Sequence, residues 1–295
     1  MGVGSFQYGG IRDCVQSICM MGVDGEAIEL RGDSLELAVG AEGRTGMLLE
    51  IVLRLQPLAR MEPLVAVFSR IAEMEACLAE VARRALPLWS ASLMDRAAVD
   101  LQSRLRPKGF TLPQGRYAAL FSFRAQERLQ VLPKLRGCVL ACGGKPVALT
   151  GDHDAWIDRF MGLQALGTTP VPMQFRLPLG KLAGFTHAIR PELRRNLAFE
   201  GVVADLAQCV TVRFFLLERP GAADGNLKAA RELLLLAKQA GGEVYATGGF
   251  FLDQAEAVFG AELLHKMVLF RRAIDPQDRL NPGKAFGPPA ESASR

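Results

Sequence analysis

Three glycines stand three residues apart at Gly40, Gly43 and Gly46, and an apolar run follows them to Pro57. Glycine permits positive φ and lets a backbone come close to a ligand. A loop of this kind can turn unpaired N–H groups toward an anion. A plain tight connection is the competing reading, because glycine serves turns generally. Other residues with chemical potential are sparse. His153, His187 and His265 are widely spaced, with no carboxylate or cysteine at ligand spacing, so no metal site is written here. His187 and His265 fall in expected helices as ordinary surface or boundary residues. Cys209 has no evident neighbouring base that would make it a nucleophile. Asp224-Gly-Asn226 sits where a helix cap belongs, and capping is its expected use. Asn281-Pro-Gly, followed by Lys284, is a turn without an obvious packing purpose.

The elements that must position these residues follow from composition and period. A chain of 295 residues can hold two domains or one large core. Apolar residues at 49% and charged residues at 22% describe an ordinary globular composition. The balance of 35 basic against 31 acidic residues is small and dispersed, which argues against nucleic acid as a partner. No apolar run reaches spanning length, and no secretory signal opens the chain. Six cysteines, mostly inside apolar runs, read as buried thiols in a reducing, cytoplasmic setting rather than a disulfide framework.

The glycine-rich opening reads as a chain entered midway. Residues 15–21 and 27–30 read as strands joined at Asp24-Gly25. Ser34 is expected to cap a short helical turn over 35–37, and 47–55 to form a largely buried strand. Strands are expected over 64–68, 89–94, 117–123 and 138–142, with one or two more in 202–217. Helices are expected over 69–85, 95–105, 125–135, 153–163, 180–189, 226–240 and 253–274. The pattern is α+β, with helices covering an antiparallel sheet.

Four segments, in order, carry a family resemblance. GSFQYGGIRDCV (residues 4–15), VGAEGRTGMLLEIVLRLQP (39–57), SLMDRAA (92–98) and IDPQDRLNPGKAF (274–286) resemble FAD-linked oxidases of the vanillyl-alcohol oxidase type. Within them, the chain is most similar to the glycolate oxidase large subunit and to D-lactate and D-2-hydroxyglutarate dehydrogenases. The resemblance implies that residues 1–57 end an FAD-binding domain and 58–286 form a cap over the flavin and substrate; residues 287–295, small and polar, read as a disordered tail. The family's pyrophosphate loop would lie upstream of Met1. The implied flavin contacts are Ser5, Tyr8, Gly9, Gly40, Glu42, Gly43, Gly46, Met47 and Asn281.

The catalytic layer departs from the family. Its HxGDGNxH motif aligns with residues 201–209, where Gly201 and Asp205 fit but the histidine positions read Val202 and Cys209. Its GEHG motif aligns with 241–249, where the glutamate reads Thr247 and the histidine Gly248. Arg159, Arg176 and Lys181 lie where the family places basic groups near a substrate carboxylate, and a guanidinium suits that task by its fork. Tyr245 is the candidate phenolic acid. The resemblance thus implies an FAD-dependent oxidoreductase, with hydride passing from a 2-hydroxyacid-like substrate to flavin N5 and no metal. The alternatives are a non-catalytic subunit that assembles with a flavoprotein or iron–sulfur partner, and a truncated inactive product. The cysteines lack cluster spacing.

Overall fold

A computed structural model of the chain describes residues 2, 4–105, 112–147, 168–217, 225–248 and 251–283. The chain divides into two compact units, Met1–Gly9 with Leu58–Glu243, and Gly10–Pro57 with Val244–Arg295.

The larger unit begins with a single helical turn, α1 (Ser5–Tyr8), and contains an eight-stranded sheet. Its strands are β4 (Met61–Phe68), β5 (Ser90–Met94), β6 (Tyr117–Arg124), β7 (Lys145–Val147), β8 (Thr169–Pro178), β9 (Leu197–Ala204), β10 (Cys209–Leu216) and β11 (Glu243–Val244). They lie in the order β11-β8-β10-β9-β5-β6-β4-β7. The pairs from β8 through β7 are antiparallel. Helices α3 (Ile71–Arg83), α4 (Arg96–Leu105), α5 (Arg128–Ala141), α6 (Leu182–Ala188), α7 (Pro191–Arg195) and α8 (Gly225–Gln239) complete it. The α+β arrangement expected from the sequence is the one observed.

Register sorts the side chains of this sheet. On one face Phe175, Phe199 and Phe214 meet Phe185 of α6, with ring centroids 5.4–6.3 Å apart. Phe121 and Leu93, opposite Ala91 and Ala119 respectively, share that face and are fully buried. These rings remove a large apolar area from water and dominate the energetics of the layer. The other face is more polar and carries the candidate site. The α4 helix starts as expected, with the Asp95 carboxylate accepting the Ala98 N–H at 2.8 Å.

The smaller unit holds α2 (Ile11–Cys14) and a three-stranded sheet in the order β2-β1-β3. Its strands are β1 (Val15–Met21), β2 (Ala27–Arg31) and β3 (Met47–Leu53), and its last helices are α9 (Ala255–Phe259) and α10 (Ala261–Ile274). Ile18, Met20, Leu30 and Leu35 form its core, with Phe270 of α10 packed against them.

Four expectations are corrected. The 47–55 strand exists as β3 but is exposed at every residue; among the described residues it pairs with β1 alone, and no layer of side chains covers either face. Residues 138–142 are not a strand: 138–141 end α5, since Cys138 and Val139 continue the buried stripe of Val131 and Leu135. The last helix is two, broken at Gly260 with φ +74°. Ser34 is not an N-cap; it lies inside the turn Gly32–Leu37, where its hydroxyl both accepts from the Arg31 N–H and donates to the Arg31 carbonyl. The expected helix over 153–163 falls outside the described residues.

Candidate functional site

The glycine loop is the most tightly determined part of the smaller unit. Gly40 and Gly43 have φ of +77° and +74°, and between them Glu42, a non-glycine residue, has φ +54°. A left-handed conformation costs an L-residue about 1–2 kcal/mol, so something must hold it. The Glu42 carboxylate accepts the Thr247 N–H at 2.8 Å, the Thr247 hydroxyl at 2.7 Å and the Gly248 N–H at 2.8 Å. Arg44 lies 3.1 Å from the same carboxylate, 1% exposed, with its guanidinium over the Phe259 ring at 5.0 Å.

The C-terminal motif closes on this loop. Arg271 donates to the Arg44 carbonyl at 2.8 Å, to Asp278 at 2.9 Å and to the Leu280 carbonyl. The Asp275 carboxylate accepts the N–H groups of Arg279 and Leu280 at 2.9 and 2.8 Å. Burial alone would raise the Asp275 carboxyl, but those donors and the nearby guanidinium charges hold it below the usual range. The Asn281 amide donates to the Gly43 carbonyl at 3.0 Å.

Glu42, Gly43 and Asn281 are therefore brought together, but the two side chains spend their hydrogen bonds inside the unit. Gly40 has open space beside it, Gly46 is packed against Met20, and Met47 is exposed. The loop's only cation, Arg44, is buried and paired, so nothing in it offers charge to a pyrophosphate.

The larger unit supplies a second feature. Ser90 lies opposite Ser122, and Ser92 opposite both Leu120 and Val202. Met94 and Arg213 oppose Glu200, and Thr211 opposes Val202 and Arg176. Cross-strand partners share a face. One face thus carries Ser90, Ser92, Ser122, Glu200, Thr211, Arg213 and Arg176. The hydroxyls of Ser90, Ser92 and Ser122 are buried without a hydrogen-bond partner among the described residues. Each such group costs roughly 1–3 kcal/mol if left without a partner. Sequence reasoning missed this row. Its signal was the alternation of Ser90 and Ser92 with Ala91 and Leu93.

Other expected site residues divide between the units. Ser5 is buried and donates to the Gly2 carbonyl at 2.6 Å, and Tyr8 accepts from Arg124 at 3.1 Å. Gly9 has φ +72° and closes α1 onto the Ser5 carbonyl. Arg176 is paired with Asp205 and with Glu243, the latter at 2.9 Å. Lys181 is exposed at the start of α6. Tyr245 is half-buried in the smaller unit. Arg159 lies outside the described residues.

At the aligned histidine positions, Val202 is buried and the Cys209 thiol approaches Asp205 at 3.3 Å. Burial and the Asp205 charge push that thiol up to about 12, so it stays protonated and is no nucleophile. Among the described residues no cluster of three His, Cys, Asp or Glu could hold a metal ion, and no helix is long and apolar enough to cross a membrane.

Comparison with solved structures finds alkyldihydroxyacetonephosphate synthase in two crystal forms. Their TM-scores are 0.70 and 0.67 at 11% and 13% identity, a likeness of fold. Each match covers 95% of this chain and 55% of the synthase, so the chain spans about half its length. No curated protein matches in sequence. A family model described as FAD linked oxidases, C-terminal domain, matches residues 59–285, and the chain belongs to that family.

Proposed function

We propose that the chain is the substrate-shaping part of an FAD-dependent oxidoreductase acting on a 2-hydroxyacid-like substrate. In this reading residues 1–57 complete an FAD-binding domain, 58–286 form the cap, and 287–295 are a tail in a cytoplasmic protein. The observation that carries it is the row of buried, partnerless hydroxyls of Ser90, Ser92 and Ser122, in a chain of a flavin-linked family. FAD, when bound, would supply the hydride acceptor. Its expected contacts are Ser5, Tyr8, Gly9, Gly40, Glu42, Gly43, Gly46, Met47 and Asn281.

The serine row gives a bound hydroxyacid hydrogen-bond donors and acceptors in a water-poor setting, where they are worth most. Arg159, Arg176 and Lys181 would meet the carboxylate. Arg176 must first loosen from Asp205 and Glu243, which weakens its candidacy. Tyr245 would hold the substrate proton. Val202 and Gly248, at two aligned histidine positions, offer no ligating side chain, and in this reading the chemistry runs without a metal.

Calorimetric titration of the protein with a panel of 2-hydroxyacids tests this reading. Binding weakened about tenfold by Ser92→Ala or Ser122→Ala, with the fold intact, is the expected result; tenfold is about 1.4 kcal/mol, one hydrogen bond to a charged group. Absence of binding across the panel would contradict it.

A second reading is favoured by one observation. Thr247 and Cys209, at the family's chemical positions, are a hydrogen-bonded prop of the glycine loop and a protonated thiol. An interface subunit can keep the fold while losing the chemistry. Binding to a flavoprotein or iron–sulfur partner without turnover would support it.

A further inference from the structure

On the face of the large sheet opposite the serine row lies a cavity of about 190 Å³. It sits at the end of the sheet where β4 finishes, with Phe68 opposite Tyr117, and where β9 begins at Leu197. The chain leaves this unit at Gly9, Leu58 and Glu243, and all three points adjoin the other end of the sheet. Leu58 precedes the start of β4, where Met61 opposes Arg124. Glu243 is bonded to Arg176 toward the end of β8, and the Ser5 carbonyl accepts the Leu206 N–H beyond the end of β9. The cavity is therefore walled by this unit's own elements, away from the crossings. None of its residues has a part in the flavin or substrate reading above.

Its walls are largely apolar. Leu197, Phe199 and Phe214 rise from the sheet, Ala183 comes from α6, Ile189 follows α6, and Ile71 starts α3. The Thr186 hydroxyl on the wall donates to the Ala183 carbonyl at 3.0 Å. Four further polar residues line the same space: Asp95, Tyr117, His187 and Arg194. The fold leaves each of them with capacity to spare. Arg194 has no ion pair among the described residues and donates to the His187 carbonyl at 3.4 Å. The Tyr117 hydroxyl and the His187 ring make no hydrogen bond among the described residues. Asp95 uses one oxygen, Oδ1, to accept the N–H groups of Ala98 at 2.8 Å and Phe199 at 3.1 Å. Its second oxygen has no partner among the described residues. One unpaired surface arginine is ordinary; four such groups around one apolar cavity are a different arrangement.

The groups share a chemical character. Burial raises the Tyr117 phenol, so at neutral pH it remains a hydroxyl donor. Burial pushes the Asp95 carboxyl up to about 7. Because Oδ1 already accepts two N–H groups, the proton held below that pH belongs on the other oxygen. Arg194 brings a positive charge and a fork that matches a carboxylate. Arg96, over the Tyr117 ring at 4.9 Å, adds a second positive charge nearby. Donors and cations among apolar walls call for an anionic head on an apolar body. An ammonium group would meet Arg194 with like charge, and a neutral ligand would leave the guanidinium without a counter-charge. Size limits the body. An apolar cavity of about 150 Å³ takes benzene, so this one has room for a ring or short branched chain with one carboxylate.

We infer that this cavity is a binding site for a small monocarboxylate with an aromatic or branched aliphatic body, separate from the serine row on the opposite face. Arg194 takes the carboxylate, Tyr117 and Asp95 donate to it, and Phe199, Phe214 and Leu197 pack against the body.

Calorimetric titration of the full chain with benzoate, at about pH 6, tests this. Benzoate has no hydroxyl beside its carboxylate, which keeps the outcome independent of the 2-hydroxyacid reading. It should saturate with a dissociation constant on the order of 1 mM or below, within reach of a ligand of about nine heavy atoms. Benzylamine and benzyl alcohol should bind about tenfold more weakly or worse, since neither can use the guanidinium. Arg194→Gln, at an exposed position, should weaken benzoate about tenfold or more, and Tyr117→Phe about three- to tenfold. Ala183→Leu, which fills the cavity from α6, should abolish binding. Ser92→Ala, which weakens 2-hydroxyacids in the reading above, should bind benzoate as the wild type does. Circular dichroism verifies the fold of each variant. No saturation by benzoate would overturn the inference. So would equal binding of benzylamine or benzyl alcohol, or benzoate binding indifferent to both Arg194→Gln and Ala183→Leu. Loss of benzoate binding in Ser92→Ala would place the ligand on the serine face and overturn it as well.

Discussion

Arg271→Met should unfold the clasp between the C-terminal motif and the glycine loop. The Arg271 guanidinium is 3% exposed and serves two backbone carbonyls, Arg44 at 2.8 Å and Leu280. It lies 3.5 Å from the buried Asp275 carboxylate. Its arm to Asp278 reaches a side chain that is 61% exposed, and contributes at most about 1 kcal/mol. A charged hydrogen bond is worth about 1.5–3 kcal/mol, and removing one partner of a buried pair costs about 3–5 kcal/mol. These contributions overlap, and Asp275 keeps its two N–H donors, so a loss of about 3–5 kcal/mol is expected. Urea unfolding of wild type and variant measures the total. Hydrogen exchange should show lost protection in residues 43–46 and 279–281, ahead of the larger unit. Arg271→Lys keeps the charge without the fork and should fall between the two. A change under about 1 kcal/mol in Arg271→Met would refute the reasoning.

Two further predictions concern the larger unit. Burial pushes the Asp95 carboxyl up to about 7, despite the N–H groups of Ala98 and Phe199 that it accepts. Its unfolded value is about 3.9, so the folded state holds the proton more tightly between those pH values. That contribution is complete below about pH 4 and lost as pH rises through 7. Asp95→Asn should therefore gain on the wild type from pH 5 to 8 in thermal unfolding, and a constant difference would contradict this. Gly201→Ala would place a Cβ 2.8 Å from the Thr211 carbonyl and 3.4 Å from Leu93. It should cost about 1–3 kcal/mol by overpacking. Unchanged stability with weakened ligand binding would instead mark Gly201 as a site residue.

Much of the fold was legible because local chemistry agreed with it. Asp24-Gly25 between alternating runs gave the β1–β2 hairpin, and Asp95 announced α4. Failures came where burial depends on distant partners. The run at 47–53 is apolar enough for a core strand, and only the sheet order shows that, among the described residues, β1 is its one neighbour. The apolar run at 138–142 could serve a strand or a helix. The stripe through Val131 and Leu135 decided for helix, carried past the helix-internal Pro133. Candidate site residues were less legible still. Glu42 meets Thr247 across 205 positions of sequence. The serine row exists only once β5, β6 and β9 are in register.

A visible absorption spectrum tests most directly whether this chain serves flavin chemistry. The purified protein is incubated with FAD, freed of unbound cofactor, and scanned. Retained flavin absorbance with the resolved shoulders of a buried ring is the expected result. A protein that stays colourless would contradict flavin binding by this chain on its own and turn attention to the upstream half of the FAD-binding domain that the resemblance implies.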